Sequence, residues 1–87
     1  MGLSADDMSA LSGLGDAAPD VAALAAAARA RWNGLRVTVV DAVDVRGETP
    51  VLETASARVF LLGSDGHCWS MTTDPAAATG LMLAARS

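Results

Sequence analysis

The chain has 87 residues, of which 52% are hydrophobic and 18% charged, and its formal net charge is −4 at pH 7. This length fits a single domain, residues 1–87, which buries only about 60–65% of the surface of its unfolded form, so a large enclosed active site is not expected. The acidic balance argues against a nucleic-acid partner, and no apolar run approaches the ~18 residues of a membrane span, so we expect a cytoplasmic protein.

Two helices are predicted in the first third of the chain. A short one covers about residues 5–12, since Ser4 can cap its amides and Gly13 and Gly15 can end it. An Ala-rich helix covers about 19–33. Pro19 suits its first turn, Asn33-Gly34 supplies a stop, and one face carries apolar side chains at helical spacing, namely Val21, Leu24, Ala25, Ala28 and Trp32. Trp32 is expected to anchor this helix on a sheet.

A strand follows, because apolar residues alternate through "LRVTVVDAVDV", residues 35–45. Asp41 interrupts the alternation. Either the strand bulges or ends near Val40, or the Asp41 carboxylate points towards apolar surroundings. Residues 46–50 read as a loop, and "VLETASA" is ambiguous.

A β-hairpin is predicted from Arg58–Gly63 and His67–Thr73 around Asp65-Gly66, a dipeptide favoured in two-residue turns. That turn pairs Ser64 with His67, Gly63 with Cys68, Leu62 with Trp69, Leu61 with Ser70, Phe60 with Met71 and Val59 with Thr72. The Ala-rich helix is expected on the face that holds Phe60, Leu62, Trp69 and Met71. The other face, with Val59, Leu61, Gly63, Cys68, Ser70 and Thr72, is half apolar and suits a partner.

The C-terminal segment begins with Asp74-Pro75, a capping residue followed by a first-turn proline. We expect one or two helical turns to Thr79 and then a strand from Leu81 to Ala85. A helix through residues 80–86 is the alternative, although Gly80 in its interior costs ~1 kcal/mol.

His67 and Cys68 raise the question of a metal site or a thiol–imidazole pair. Neighbours in a strand point to opposite faces, and the chain has no second His or Cys, so structural roles are favoured. Asp41 and Asp44 form no convergent carboxylate pair, and "GLGDAA" lacks the strand that a dinucleotide fingerprint requires. No catalytic residue, metal ligand or cofactor is therefore predicted. Ligand or partner contacts are assigned to His67, Cys68, Trp69 and Asp74.

A family resemblance lies in "PVLETASARVFLLGSDGHCWSMTTDPAAATGLMLA", residues 50–84. It is similar to small proteobacterial proteins classed as a domain of unknown function, with a strand, a His-Cys step, a second strand, Asp-Pro, Ala-Ala-Thr-Gly and an apolar end. Some of these resemble accessory proteins encoded near nitrogen-fixation genes. The resemblance implies a strand at the apolar end and marks His67, Cys68, Asp74 and Gly80, but it implies no established chemistry.

Together these elements predict an α+β fold, a small, mainly antiparallel sheet of three or four strands with the Ala-rich helix on one face. Lacking a constellation of catalytic groups, the chain is interpreted as a non-catalytic accessory or adaptor protein whose partner is another protein or a second copy in a homodimer. The alternative is a small-ligand or metal-binding protein that uses the His67/Cys68 hairpin.

Overall fold

The α+β class is confirmed by a computed structural model, which describes residues 2–64 and 69–86. Two helices, α1 (Ala5–Ala17) and α2 (Val21–Arg31), precede a sheet of five strands in the described residues. The strands are β1 (Arg36–Val40), β2 (Leu52–Glu53), β3 (Ala57–Ser64), β4 (Trp69–Thr72) and β5 (Gly80–Ala85). The sheet therefore has more strands than the three or four predicted.

Strand β3 is the centre of the sheet. It pairs antiparallel with β5 on one side, and β5 in turn pairs parallel with β1. On its other side β3 pairs with β2 near Val59 and with β4 from Leu61 onwards, so two short strands share one edge. Since β1–β5 is parallel, the sheet is mixed although mostly antiparallel.

The hairpin register differs from the prediction by two residues. Leu62 pairs with Met71 and Ser64 with Trp69, whereas the two-residue turn placed Trp69 opposite Leu62. The hydrophobic pattern cannot separate these registers, because a shift of two residues keeps every side chain on its face. Residues 65–68, which include Asp65-Gly66, lie outside the described residues.

The helices cover the opposite face of the sheet from the one predicted. Helix α2 packs through Leu24, Ala25 and Ala28 in the same core as a set of sheet side chains, which comprises Val37, Ala57, Val59, Leu61, Leu81 and Leu83. The flanking strands decide this, because β1 and β5 add Val37, Leu81 and Leu83 to the Val59 face, whereas Arg36 and Thr38 of β1 lie on the Phe60 face. The predicted helix face, with Phe60 and Leu62, is therefore the second face of the sheet.

Helix α1 continues past Gly13 and Gly15, where the sequence predicted its end. Ser4 and Asp7 form a capping box, and Leu11 and Gly15 are buried. Gly15 lies against Thr54, whose side chain a β-carbon at this position would overlap. The packing of this close approach outweighs the ~1 kcal/mol that a helical glycine costs.

Helix α2 is shorter than the predicted 19–33. Asp20 is the N-cap and accepts a 2.8 Å hydrogen bond from the Ala23 N–H, so Pro19 lies outside the helix. Trp32 closes the helix as its C-cap. Its Nε1 donates to Asp7 at 3.2 Å, so Trp32 joins the two helices in addition to packing on the core. Hydrogen bonds from the Ser4 N–H and from Trp32 lower the pKa of Asp7.

The strand predicted over residues 35–45 ends at Val40, and a 3-10 helix (Ala42–Val45) follows. Asp41 is exposed, which excludes the inward-pointing carboxylate. On β1, the Val37 carbonyl accepts a 2.9 Å hydrogen bond from Arg29. The predicted strand at the C-terminus is confirmed as β5, and the expected helix after Asp74 is a single 3-10 turn (Pro75–Ala77).

The two helical glycines give a matched test of the close approach. We expect Gly15→Ala to lower the free energy of unfolding by ~1–3 kcal/mol, because the added methyl overpacks Thr54. Gly13→Ala, at an exposed site with open space around the glycine, is expected to raise it by ~0.5–1 kcal/mol. Chemical denaturation of both variants measures the difference, and stabilisation by Gly15→Ala would contradict the packing described.

Candidate functional site

Of the four residues predicted to contact a ligand or partner, the structure describes the side chain of Asp74 alone. His67 and Cys68 lie outside the described residues, and Trp69 is described only by its backbone, which pairs with Ser64. Asp74 caps a 3-10 turn, because its Oδ1 accepts a 3.0 Å hydrogen bond from the Ala76 N–H. Asp74 therefore has a structural role, and a contact through His67 or Cys68 stays a prediction.

A metal centre finds no support in the part of the chain that the structure describes. Across residues 2–64 and 69–86, no group of three or more His, Cys, Asp and Glu side chains could hold a metal ion. Asp41 and Asp44 are both exposed. The same residues contain no helix that is long and apolar enough to cross a membrane.

The chemically most distinctive surface is instead the second face of the sheet, which the helices do not cover. Residues 41–51, here called the crossing segment, pass over this face from β1 to β2. Val45 attaches the crossing segment to the sheet through hydrophobic contacts. It is only 2% exposed and packs on Phe60 and Ala84. The crossing segment thus covers the middle of the second face.

Beyond the crossing segment, part of the second face stays accessible. Among the described side chains, this open face includes Arg36, Thr38, Leu62, Met71 and Met82, which lie on four strands. Met71 is 41% exposed, and Leu62 and Met82 are partly buried. A solvated sheet face is normally polar, so three apolar side chains here indicate a surface suited to contact.

A cavity of about 250 Å³ lies where the crossing segment meets this open face. Phe60 contributes to its wall. Along this edge of β3, the pairing with β2 ends at Val59 and the pairing with β4 begins at Leu61, so Phe60 lies between the two strands. The surrounding residues include Thr49, Val51, Met71 and Thr72. The wall is therefore mixed, since Glu48, Thr49 and Thr72 line it beside apolar side chains, and such a pocket can take an apolar side chain or a small ligand.

A smaller cavity, of about 170 Å³, lies against another part of the crossing segment. Its lining consists of Ala42, Val43, Arg46, Gly47 and Arg58. Glu53 contacts Arg58 at 3.3 Å, an ion pair between half-exposed side chains. We call this the arginine cavity.

Both cavities were missed by the sequence analysis. One signal was present, because Val59–Leu62 is a continuous apolar run, and such runs are typical of strands covered on both faces. The path of the crossing segment had no comparable signal, since it depends on which strands occupy the sheet edges.

Comparison with known proteins gives a family without an assigned activity. The model of a family of unknown function, DUF6129, matches residues 9–86. No curated protein and no solved structure matches the chain. The predicted resemblance to a domain of unknown function is thus confirmed, and the match extends well beyond residues 50–84.

Val45 provides a test of how the second face is covered. We expect Val45→Ala to lower the free energy of unfolding by ~1.5–3 kcal/mol, because a buried side chain loses its contacts with Phe60 and Ala84. Val43→Ala, two residues earlier and 60% exposed, should change it by less than ~0.5 kcal/mol in dilute solution. Equal effects in denaturant titrations would show that Val45 does not hold the segment.

Proposed function

Since the chain belongs to the DUF6129 family, whose function is unknown, we propose its function from its surface. The protein is a non-catalytic accessory protein that acts through protein contact, and a second copy of the same chain occupies the open face. The supporting observation is the apolar second face, which the crossing segment covers only in its middle.

The shape of this face supports pairing between identical copies. The crossing segment forms a ridge on which Val43 is 60% exposed, and beside the ridge lies the 250 Å³ cavity with Phe60 and Met71 in its wall. In a two-fold dimer each contact occurs twice, with the roles exchanged. The Val43 ridge of one copy would therefore enter the cavity of the other, and the converse contact would form by symmetry.

The charges on the ridge suit self-association as well. Asp44 and Glu48 are negative, Arg46 is positive, and all three are exposed close to Val43. A surface that carries both signs can face its own copy without a large like-charge repulsion, unlike a surface of one sign.

The size of the molecule sets a further condition. Its principal extents are 34 × 27 × 18 Å, so its broad faces measure about 34 by 27 Å. A standard interface buries about 800 Å² on each partner. Only a broad face provides that area, and the helices already cover one of the two faces of the sheet.

The proposal is tested by measuring mass in solution. Light scattering after size exclusion should give twice the chain mass of 8.8 kDa. Val43→Asp and Met71→Asp should each raise the dimer dissociation constant at least tenfold, because a buried unpaired carboxylate costs several kcal/mol. Val39→Asp is the matched control. Val39 is 43% exposed on β1 but shares the face of Val37, so this variant should remain dimeric.

Two outcomes would contradict the homodimer. One is a monomer at all concentrations up to about the millimolar range, far above the affinities of specific complexes. The other is dissociation by Val39→Asp as complete as that by Val43→Asp, which would place the contact at the β1 edge. A mixed complex with another protein would show as a monomer alone and a larger species only with that protein.

The physiological setting is a separate part of the proposal. We propose a cytoplasmic protein, and the resemblance over residues 50–84 supports a proteobacterial source and an accessory role connected with nitrogen fixation. The genes next to those of family members test this directly. Recurrent nitrogen-fixation neighbours are expected, and their absence across many genomes would remove that connection without affecting the dimer.

A further inference from the structure

We propose that the arginine cavity is a binding site for a phosphate group. The six arginines of the chain differ in their partners. Arg29 donates to the Val37 carbonyl, Arg86 donates to the Thr54 carbonyl, and Arg31 lies 5.3 Å from the centre of the Trp32 ring. Arg36 also has a partner. All six arginines are among the described residues, and Arg46 is the one arginine whose side chain makes no hydrogen bond, ion pair or ring contact there.

Arg58, the second arginine that lines the cavity, also has a donor that makes no hydrogen bond to the described residues. Arg58 Nε is buried and makes no hydrogen bond within residues 2–64 and 69–86. The Glu53 oxygen lies 3.3 Å from it, which is an ion-pair contact without hydrogen-bond geometry. Arg58 also lines the cavity, so its guanidinium group is placed to contact an anion there.

The cavity between these side chains has a suitable size and charge. Its volume of about 170 Å³ corresponds to roughly six water molecules at about 30 Å³ each, which leaves room for a small oxyanion with some of its hydration. No acidic residue is among its lining residues. In a chain of net charge −4, this small cavity is lined by two arginines, of which Arg58 is paired with Glu53 and Arg46 is not paired within the described part of the chain.

Phosphate fits this arrangement better than a carboxylate. A guanidinium group can bind two oxygens of either anion in parallel, so the preference follows from charge. Two guanidinium groups favour an anion of charge near −2, and phosphate groups carry about −1.5 to −2 at pH 7. Gly47 lines the cavity as well, with a φ of +88° that a side chain would disfavour.

The test is an NMR titration of the full ¹⁵N-labelled chain at constant ionic strength. Inorganic phosphate should cause saturable shifts of the amide signals of Val43, Arg46 and Gly47. Arg46→Gln should weaken binding about tenfold or more, the factor expected for one lost charge-assisted hydrogen bond. Arg31→Gln removes the same charge away from the cavity and should change the affinity by less than about twofold.

Glu53→Gln supplies a test with the opposite sign. Removing the carboxylate frees Arg58 from its ion pair, so this variant should bind phosphate more tightly, by about two- to fivefold. Arg58→Gln should weaken binding in the same direction as Arg46→Gln. If Arg58→Gln fails to fold, Arg46→Gln and Glu53→Gln still decide the outcome. The amide spectrum of each variant in the absence of phosphate shows whether its fold is intact.

Two further ligands identify the source of the phosphate group. Tighter binding of glycerol 3-phosphate would point to a phosphate ester as the natural ligand, and tighter binding of inorganic phosphate would point to the free ion. Acetate should bind more weakly than either. The proposal is overturned if the shifts do not saturate, if acetate binds more tightly than phosphate, or if Arg31→Gln weakens binding as much as Arg46→Gln.

Discussion

The fold depends on covering strand β3 from both sides. Val59 and Leu61 point to one face of the sheet, while Phe60 and Leu62 point to the other, and the first three are almost completely buried. Hydrophobic burial is favourable in proportion to the area removed from water, so each face needs its own cover. The helices provide one, and the crossing segment, held by Val45, provides the other over Phe60.

Local signals in the sequence predicted the elements well. The face of α2, the caps at Ser4 and Asp74, the strand end near Val40 and the final strand all depend on neighbouring residues, and the structure has each of them. The predicted end of α1 was wrong because Gly15 serves a contact with Thr54, and this contact joins positions 39 residues apart. A glycine at a close tertiary approach has the same sequence signature as a glycine that ends a helix.

The arrangement of the sheet could not be obtained from the hairpin alone. Which face of β3 meets the helices is decided by Leu81 and Leu83 of β5 and by Val37 of β1, and their pairing with β3 and β5 is long-range. For the same reason the prediction left the Val59 face uncovered by the helices, whereas the structure leaves the Phe60 face uncovered by them. The cavities at Arg46 and Phe60 follow from that face and from the path of the crossing segment, so the candidate site was not predictable before the topology was known.

The division of one sheet edge between β2 and β4 also affects solubility. Long, flat, unpaired edges can template the addition of strands from other molecules and so promote fibrils. Here that edge is split into two short pieces beside β3, and on the opposite edge the Val37 carbonyl is already bound by Arg29. The short β2 and β4 and the bound Val37 carbonyl thus reduce the length of strand edge that another molecule could extend.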